Sequence, residues 1–464
     1  MTNSRPRVGV VGGGILGVTL ALRLAQAGAA VTVLERGPEL GGLAGTMELG
    51  GHEVDRFYHV ITPADSNMIA MAEEVGLGEE INFRPVGAGF FADGELRDFN
   101  GVGDLLRFSP LGPLARLRFG WFVAQCQLRS SYEALDRMPL EPWLCRHCGR
   151  QAVERMWRPL LDSRFDGDPA GLPATYIWAR TRRMSTARSG NRKAGEEMGH
   201  IVGGHKRLVD AMVARASELG VEARTGAPVS GLATDSSGAV TGVELEGETL
   251  DFDLTISTLQ PPALRFLLPE AHRGLLEPYP QRWQGVVCAT LLLPRSVLPY
   301  YAVNVIDETP ITTAVETSHA LGTEHTDGRV LVYLPKYCAP DAPEQSEDDE
   351  SIYVRFTDFL AKMSPSFSRE EVIDWTVQRA TLVEPVHQVV AAGQRRIAPV
   401  WPGVEGLALA SNAQVYPYLL NGDSVMGFAE TVSEEARERL GLPGPEAKRA
   451  IGREPAGAAA TLDS

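Results

Sequence analysis

The sequence contains few cysteines, no long uninterrupted hydrophobic run and no excess of positive charge. Five cysteines in 464 residues are too few, and odd in number, for a disulfide framework. The N-terminal residues MTNSRPR hold no signal-peptide core, and no segment reaches the roughly 18 apolar residues that span a bilayer. These absences predict a cytoplasmic protein with no integral membrane segment.

The formal net charge of -15 argues against a nucleic-acid-binding protein, because such proteins present a basic surface to phosphate groups. The composition, 44% hydrophobic and 22% charged, is typical of a globular protein. A chain of this length predicts two or three domains. We therefore expect a multidomain protein without a nucleic-acid partner.

The first forty residues predict a strand, a helix and a second strand. Val8–Val11 is a short apolar run without alternation, which is typical of a buried parallel strand. A helical pattern over Ile15–Ala27 and a second apolar run, Ala30–Leu34, follow it. Between the first run and the helix lies GGGILG, residues 12–17, which matches the G-x-G-x-x-G pattern of dinucleotide-binding folds. The fold class predicted from this unit is α/β with a Rossmann-type domain.

There is a physical reason for glycine at each of the three positions of the motif. Gly12 permits the tight turn, Gly14 lets backbone amides approach a pyrophosphate, and Gly17 lets the helix pack closely on the strand. The free N–H groups and the dipole of the helix N-terminus attract the phosphates. Glu35 ends the second strand, where its carboxylate can accept hydrogen bonds from ribose hydroxyls. A carboxylate at this position disfavours the 2′-phosphate of NADP.

A second glycine pair, Gly41-Gly42, comes soon after the second strand. A NAD site gives no reason for this pair, whereas the flavin half of FAD would pass along the backbone there. Together with the closing segment GLALASNAQVYPYLLNGDSVMGFAETVSEE, these features resemble the superfamily of flavin amine oxidases, protoporphyrinogen oxidases and phytoene desaturases. UDP-galactopyranose mutase has the same layout.

The resemblance implies a tightly but non-covalently bound FAD. It places Val229 at the adenine edge through its backbone, and it puts Asn412 where the family usually has an acidic residue. Val425 and Met426 would begin the last helix, whose N–H groups would face the flavin. The cofactor-binding residues implied by the resemblance are Gly12, Gly14, Ile15, Leu16, Gly17, Glu35, Arg36, Gly41, Gly42, Leu43, Ala44, Val229, Thr258, Asn412, Val425 and Met426.

The resemblance also implies a discontinuous FAD-binding domain and a second, mixed α+β substrate domain. The active site would lie at their junction. The FAD-binding domain is expected over residues 1–75, 200–265 and 385–442, the substrate domain over 76–199 and 266–384, and a disordered tail over 443–464.

The segment DRFYHV, residues 55–60, would pass the flavin ring in this superfamily. Tyr58 and His59 are therefore the candidate catalytic residues, with His59 as a base near neutral pH. A histidine satisfied within the core is the competing interpretation of His59. The implied reaction is hydride transfer from a C–N or C–C bond of a small-molecule substrate to flavin N5, with O2 as electron acceptor. A redox-neutral sugar-nucleotide mutase is the alternative.

Three other segments allow two interpretations each. The pair Cys145 and Cys148 is either structural or a redox or metal motif, and no second ligand pair is present to complete a zinc site. The basic stretch 180–193 is either a solvated loop or a site for a substrate anion. Residues 110–128 form either a substrate-domain helix or a membrane-contacting segment. We expect the structural interpretation in each case and predict no metal site.

Overall fold

A computed structural model of the chain describes residues 5–186, 196–279, 282–391 and 393–444. The basic positions 187–193 and most of the predicted tail lie outside these ranges. The α-helices in the described part are Ile15–Gln26, Ser66–Glu74, Val102–Arg107, Pro113–Leu128, Glu133–Asp136, Leu140–His147, Arg150–Ala152, Arg158–Arg164, Thr175–Thr186, Gly204–Glu218, Pro261–Leu264, Ser318–Leu321, Asp349–Met363 and Gly422–Arg439.

A five-stranded parallel sheet contains the N-terminal unit. Its valines at positions 8, 10, 31 and 33 are at most 3% exposed, because helices Ile15–Gln26 and Gly422–Arg439 pack against them. Parallel strands bring their carboxyl ends to one edge, which is where nucleotides bind in such sheets. The strands, in order across the sheet, are Leu407–Leu409, Leu254–Ser257, Arg7–Val11, Ala30–Leu34 and Glu222–Arg224. The predicted α/β fold with a parallel sheet is confirmed.

A seven-stranded mixed sheet is built from other parts of the chain. Helix Asp349–Met363 covers one of its faces through a continuous apolar core. Residues from the hairpin Thr46–Leu49 and His52–Asp55, together with Phe57, form a second apolar cluster with this sheet. The strands, in order, are Asp374–Val386, Arg282–Leu293, Val330–Cys338, Thr313–Glu316, Ala302–Val305, Ala88–Ala92 and Glu95–Asp98.

Two smaller groups of strands complete the sheets. Gly231–Thr234, Val240–Leu245 and Glu248–Asp251 form a three-stranded antiparallel sheet. Ile81–Val86 pairs with Glu196–Ile201. Strands thus dominate the region from residue 81 to residue 98, and the α-helices that follow start at Val102–Arg107. The domain boundaries stay a prediction.

The helical region 102–186 encloses a core rich in Phe and Trp. Helix Pro113–Leu128 turns Phe119, Phe122 and Cys126 inward, as expected of a domain helix, while Leu114, Leu117, Trp121 and Leu128 are 61–79% exposed. None of the helices in the described ranges is long and apolar enough to cross a membrane.

Cys145 and Cys148 are both free thiols in this helical region. Cys148 has no solvent exposure, and burial raises the pKa of its thiol to about 11. A thiol that stays protonated at neutral pH is a poor nucleophile and a poor metal ligand. The structure therefore favours the structural interpretation of this pair.

Candidate functional site

The glycine motif forms a tight loop between the first strand and the first helix. Gly12 has a φ of 108°, which other residues rarely adopt. A Cβ on Gly17 would lie 1.9 Å from the carbonyl oxygen of Gly12, so only glycine fits there. A Cβ on Gly14 would meet no atom within 4 Å. The loop is therefore packed on the helix side and open over Gly14, as a phosphate cradle requires.

The second glycine pair packs directly on this loop. The N–H of Gly41 donates to the carbonyl of Gly13 at 2.8 Å, and a Cβ on Gly42 would lie 3.2 Å from the Cα of Gly14. The φ values of Gly41 and Gly42 are 126° and 60°. The two glycine segments thus form one continuous backbone surface, along which an extended dinucleotide can lie without meeting a side chain.

Glu35 lies beside the glycine loop. Its carboxylate accepts the N–H groups of Gly13 and Gly37, each at 2.8 Å. The N–H of Ala227 bonds to the Glu35 carbonyl at 2.9 Å, which brings the half-buried Val229 segment close to this end of the site. The carboxylate keeps further lone pairs for ribose hydroxyls, and Arg36 next to it is exposed.

The other predicted cofactor residues occupy different environments. Thr258 donates to the carbonyl of Val11 at 2.9 Å, and a Cβ on Gly12 would lie 2.3 Å from its hydroxyl. Leu43 is 36% exposed, whereas Ala44 is buried. Ile15 is half-buried and Leu16 is 7% exposed, at the start of the first helix.

Asn412 follows the last strand of the parallel sheet. Its side-chain amide donates to the Val383 carbonyl at 3.0 Å, while its Oδ1 is buried without a hydrogen-bond partner among the described residues. A buried, unpaired acceptor is costly. It would be satisfied by a donor on a bound ligand.

The final helix begins three residues earlier than the sequence analysis expected. It runs over Gly422–Arg439, and the Asn421 side chain caps it by accepting the N–H of Ser424. The N–H of Val425 bonds to the Asn421 carbonyl at 3.1 Å, and the Met426 side chain is buried in a core cluster. The prediction that Val425 and Met426 start the helix is wrong. The free N–H groups at this terminus belong to the first helical residues, Gly422 and Asp423.

Asp55, the last residue of the hairpin, lies close to His59 and to His205 of helix Gly204–Glu218. One nitrogen or oxygen atom of each lies within 4.8 Å of the others, and the two imidazole rings are 4.9 Å apart between centroids. Burial lowers the pKa of His59 to about 4, and the His59 Nδ1 has no hydrogen-bond partner among the described residues. His59 is therefore a neutral imidazole at pH 7, and its low pKa makes it a weaker base than the base near neutral pH that the sequence analysis predicted.

Asp55 provides a pH-dependent contribution to stability. Burial raises the pKa of its carboxyl to about 7, although a backbone hydrogen bond from His205 opposes this. The unfolded chain has the ordinary pKa of about 3.9. Between these two pKa values the folded state binds more protons than the unfolded state. The protonated Asp55 carboxyl therefore stabilises the fold at low pH, and this contribution is lost as the pH rises to 7.

We expect acidification from pH 7 to pH 5 to stabilise the wild type relative to Asp55→Asn by about 2 kcal/mol. The measurement is urea unfolding of both proteins at pH 5, 6 and 7. The control is the exposed Asp251→Asn, for which the difference from wild type should not change with pH. A constant difference for Asp55→Asn would mean that Asp55 is ionised in the folded protein.

Tyr58 lies next to His59 in the chain. Burial and the neighbouring Tyr337 hold the pKa of its hydroxyl well above the ordinary value, while the nearby Arg164 acts in the opposite direction. Its ring is 6.3 Å from that of Tyr333. The hydroxyl of Tyr58 is therefore protonated at pH 7 and can donate a hydrogen bond.

A pocket with about 470 Å³ of empty space, including its open mouth, lies between the helical region and the segment before the last helix. Arg180 begins the basic stretch 180–193 that the sequence analysis weighed as an anion site, whereas no signal in the sequence marked Glu384 as its neighbour. The predicted catalytic residues Tyr58 and His59 are not among the residues that line this pocket. The lining residues are Phe165, Leu172, Pro173, Tyr176, Arg180, Glu384, Pro385, Val386, His387, Asn412, Val415, Tyr416, Pro417, Tyr418 and Leu420.

The open glycine cradle, the second glycine pair and the unpaired Asn412 oxygen fit a flavin dinucleotide. Comparison with known proteins agrees: the model of the family described as flavin containing amine oxidoreductase matches residues 17–422. The chain belongs to this family, and its cofactor is FAD.

Individual relatives are distant. A protein of Synechococcus elongatus provisionally named zeta-carotene desaturase is 25% identical over 302 residues, which cover 58% of this chain and 61% of that protein. The chain thus spans less than two thirds of the length of that curated relative.

Two solved structures share the fold. A protein from Exiguobacterium sp. 255-15, provisionally named protoporphyrinogen oxidase, has a TM-score of 0.72 at 20% identity, covering 94% of this chain and 99% of the other. Reduced UDP-galactopyranose mutase has a TM-score of 0.68 at 14% identity, covering 94% and 96%.

Proposed function

We propose that the protein is an FAD-dependent oxidoreductase that removes a hydride from a C–N or C–C bond of a small molecule. The observation that carries this proposal is the position of Asn412, which follows the last strand of the parallel sheet and also lines the pocket. With Asn412 as a cofactor residue, the proposed cofactor surface would adjoin the pocket. The desaturase relative favours oxidation of a C–C bond.

When bound, FAD supplies the hydride acceptor at its N5 atom. The residues proposed to hold it are Gly12, Gly14 and Gly17 at the pyrophosphate, Glu35 at the ribose, and Gly41 and Gly42 along the extended chain of the cofactor.

The protein's own residues would bind the substrate and manage its proton. His59 is a weak base whose Nδ1 is unpaired among the described residues, and it would accept the proton lost when a C–C or C–N bond is oxidised. Tyr58 would orient the substrate through its hydroxyl. The apolar and aromatic lining of the pocket would exclude water from the reacting carbon. O2 as electron acceptor and a cytoplasmic location stay predictions.

The mutase alternative has less support. A fold shared with UDP-galactopyranose mutase at 14% identity does not indicate its chemistry, and the curated relative carries the name of a desaturase.

We expect the purified protein to be yellow, with the absorption bands of oxidised flavin, and to release FAD on denaturation, since backbone contacts dominate the cradle. Absorption spectra before and after acid precipitation measure this. A colourless protein that gains no flavin spectrum when mixed with FAD would contradict the proposal.

Anaerobic mixing with amines, amino acids and unsaturated hydrocarbons then tests the reaction. Bleaching of the flavin by one of these compounds supports the oxidoreductase. Turnover of a sugar nucleotide only after reduction with dithionite would instead support the mutase.

A further inference from the structure

Two arginines and one glutamate meet at the wall of the pocket. Arg180 binds Glu384 at 2.8 Å, and Arg164 binds the other carboxylate oxygen. The side-chain exposures of Arg164, Arg180 and Glu384 are 20%, 24% and 14%. Burial acts to raise the pKa of Glu384, but the two arginines outweigh it and lower the pKa. The group therefore carries one net positive charge.

Aromatic rings hold both guanidinium groups in place. The Cζ atom of Arg164 lies 3.3 Å from the ring centroid of Tyr337, and that of Arg180 lies 3.5 Å from the centroid of Tyr176. These cation–π contacts fix the arginines before any ligand binds. A fixed, partly desolvated positive charge attracts an anion more strongly than a mobile surface charge does.

The other charged groups at the pocket do not cancel this charge. Arg396 is paired with Asp136 at 2.6 Å. Burial and Arg396 lower the pKa of His387 to about 3, so this imidazole is neutral at pH 7. Among the described lining residues, Glu384 is the only carboxylate, and Arg164 already neutralises it.

Arg180 also has donors to offer. One of its N–H groups binds Glu384, and another contacts the Tyr176 carbonyl at 3.4 Å. A guanidinium carries five N–H groups. The remaining donors can bind a carboxylate or phosphate in a charge-assisted pair.

We propose that the pocket selects substrates carrying one anionic group, a carboxylate or a phosphate, which binds Arg180 while Arg164 neutralises Glu384. This inference rests on the proposed function, because it takes the pocket to be the substrate site. The anionic group would distinguish the substrate of this protein from an uncharged hydrocarbon.

Calorimetric titration of the holoenzyme with benzoate, phenyl phosphate and the neutral benzamide tests the proposal. We expect at least one of the two anions to bind about tenfold or more tightly than benzamide. The tighter anion identifies the group as carboxylate or phosphate. Equal affinity for all three compounds would overturn the proposal.

Variants of the charged group give opposite expected effects. Arg180→Gln should remove the preference for the anion, whereas Glu384→Gln should strengthen anion binding about tenfold because it removes the competing carboxylate. A purely structural network would lose binding in both variants, and that result would overturn the proposal. The matched control is Arg295→Gln, which removes an exposed arginine paired with Glu371 and should change nothing.

Arg180→Lys keeps the test decisive if Glu384→Gln does not fold. It retains the charge and should keep part of the preference for the anion. Loss of the preference equal to that in Arg180→Gln would contradict the role of charge. Calorimetric heats do not depend on flavin colour, so a protein that binds FAD but shows no anion preference refutes only this inference. A protein that cannot bind FAD refutes the proposed function instead.

Discussion

Gly14→Val is expected to produce a folded protein that has lost its FAD. The backbone of Gly14 is extended, with φ of -71° and ψ of 179°, so valine can adopt it. A Cβ on Gly14 would have no other atom within 4 Å. A valine side chain would therefore occupy the space through which the pyrophosphate reaches the backbone. Even one lost hydrogen bond to a charged group corresponds to roughly a 10- to 100-fold loss of affinity. The ratio of flavin to protein after purification measures the loss.

Gly17→Ala is the informative comparison for this prediction. Its Cβ would lie 1.9 Å from a backbone oxygen, which cannot rotate away, so this variant should lose stability as well as FAD. Thermal unfolding in the absence of added FAD separates the two variants. If Gly14→Val retains FAD at the wild-type ratio, the pyrophosphate does not lie over this loop.

His59→Ala is expected to lower the rate of flavin reduction by a factor on the order of 10² to 10⁴ and to leave FAD binding intact. The imidazole is held neutral by burial, its Nδ1 is unpaired among the described residues, and the proposed FAD contacts lie on other segments. Single-turnover reduction by a substrate found in the anaerobic screen, with flavin occupancy measured in parallel, tests this.

His59→Gln should be as slow as His59→Ala, because glutamine fills part of the space without accepting the proton. The control is His272→Gln, which alters a histidine bound to the Gly238 carbonyl away from the pocket and should leave the rate unchanged. Full activity in His59→Ala would make His59 a structural residue of the core. Loss of FAD or of folding in both His59 variants would also contradict a catalytic role.

Taken together, the proposals assign separate tasks to separate surfaces. The glycine segments would bind the cofactor through backbone, His59 would accept the proton, and Arg180 would select the charge of the substrate. Because these groups come from different elements, changes in FAD content, turnover rate and anion preference can be measured independently.

The conformation of the glycine loop was predictable from local sequence. A glycine motif between a strand and a helix has few alternative conformations, so GGGILG and Glu35 implied their positions before any tertiary contact was known. The structure adds that Gly41 bonds to Gly13, which the sequence indicated only as a second glycine pair. The start of the last helix was missed, although Asn421 and Ser424 form a capping box, a local signal that marks a helix N-terminus.

Only tertiary structure could bring the pocket charges together. Arg164 and Arg180 precede Glu384 by 220 and 204 positions, and no periodicity or motif links residues so far apart. The same holds for His59 and His205, whose rings meet because the hairpin and helix Gly204–Glu218 pack together. Local patterns specify backbone conformation over about one supersecondary unit, whereas the net charge and proton affinity of a pocket depend on which distant side chains are buried side by side.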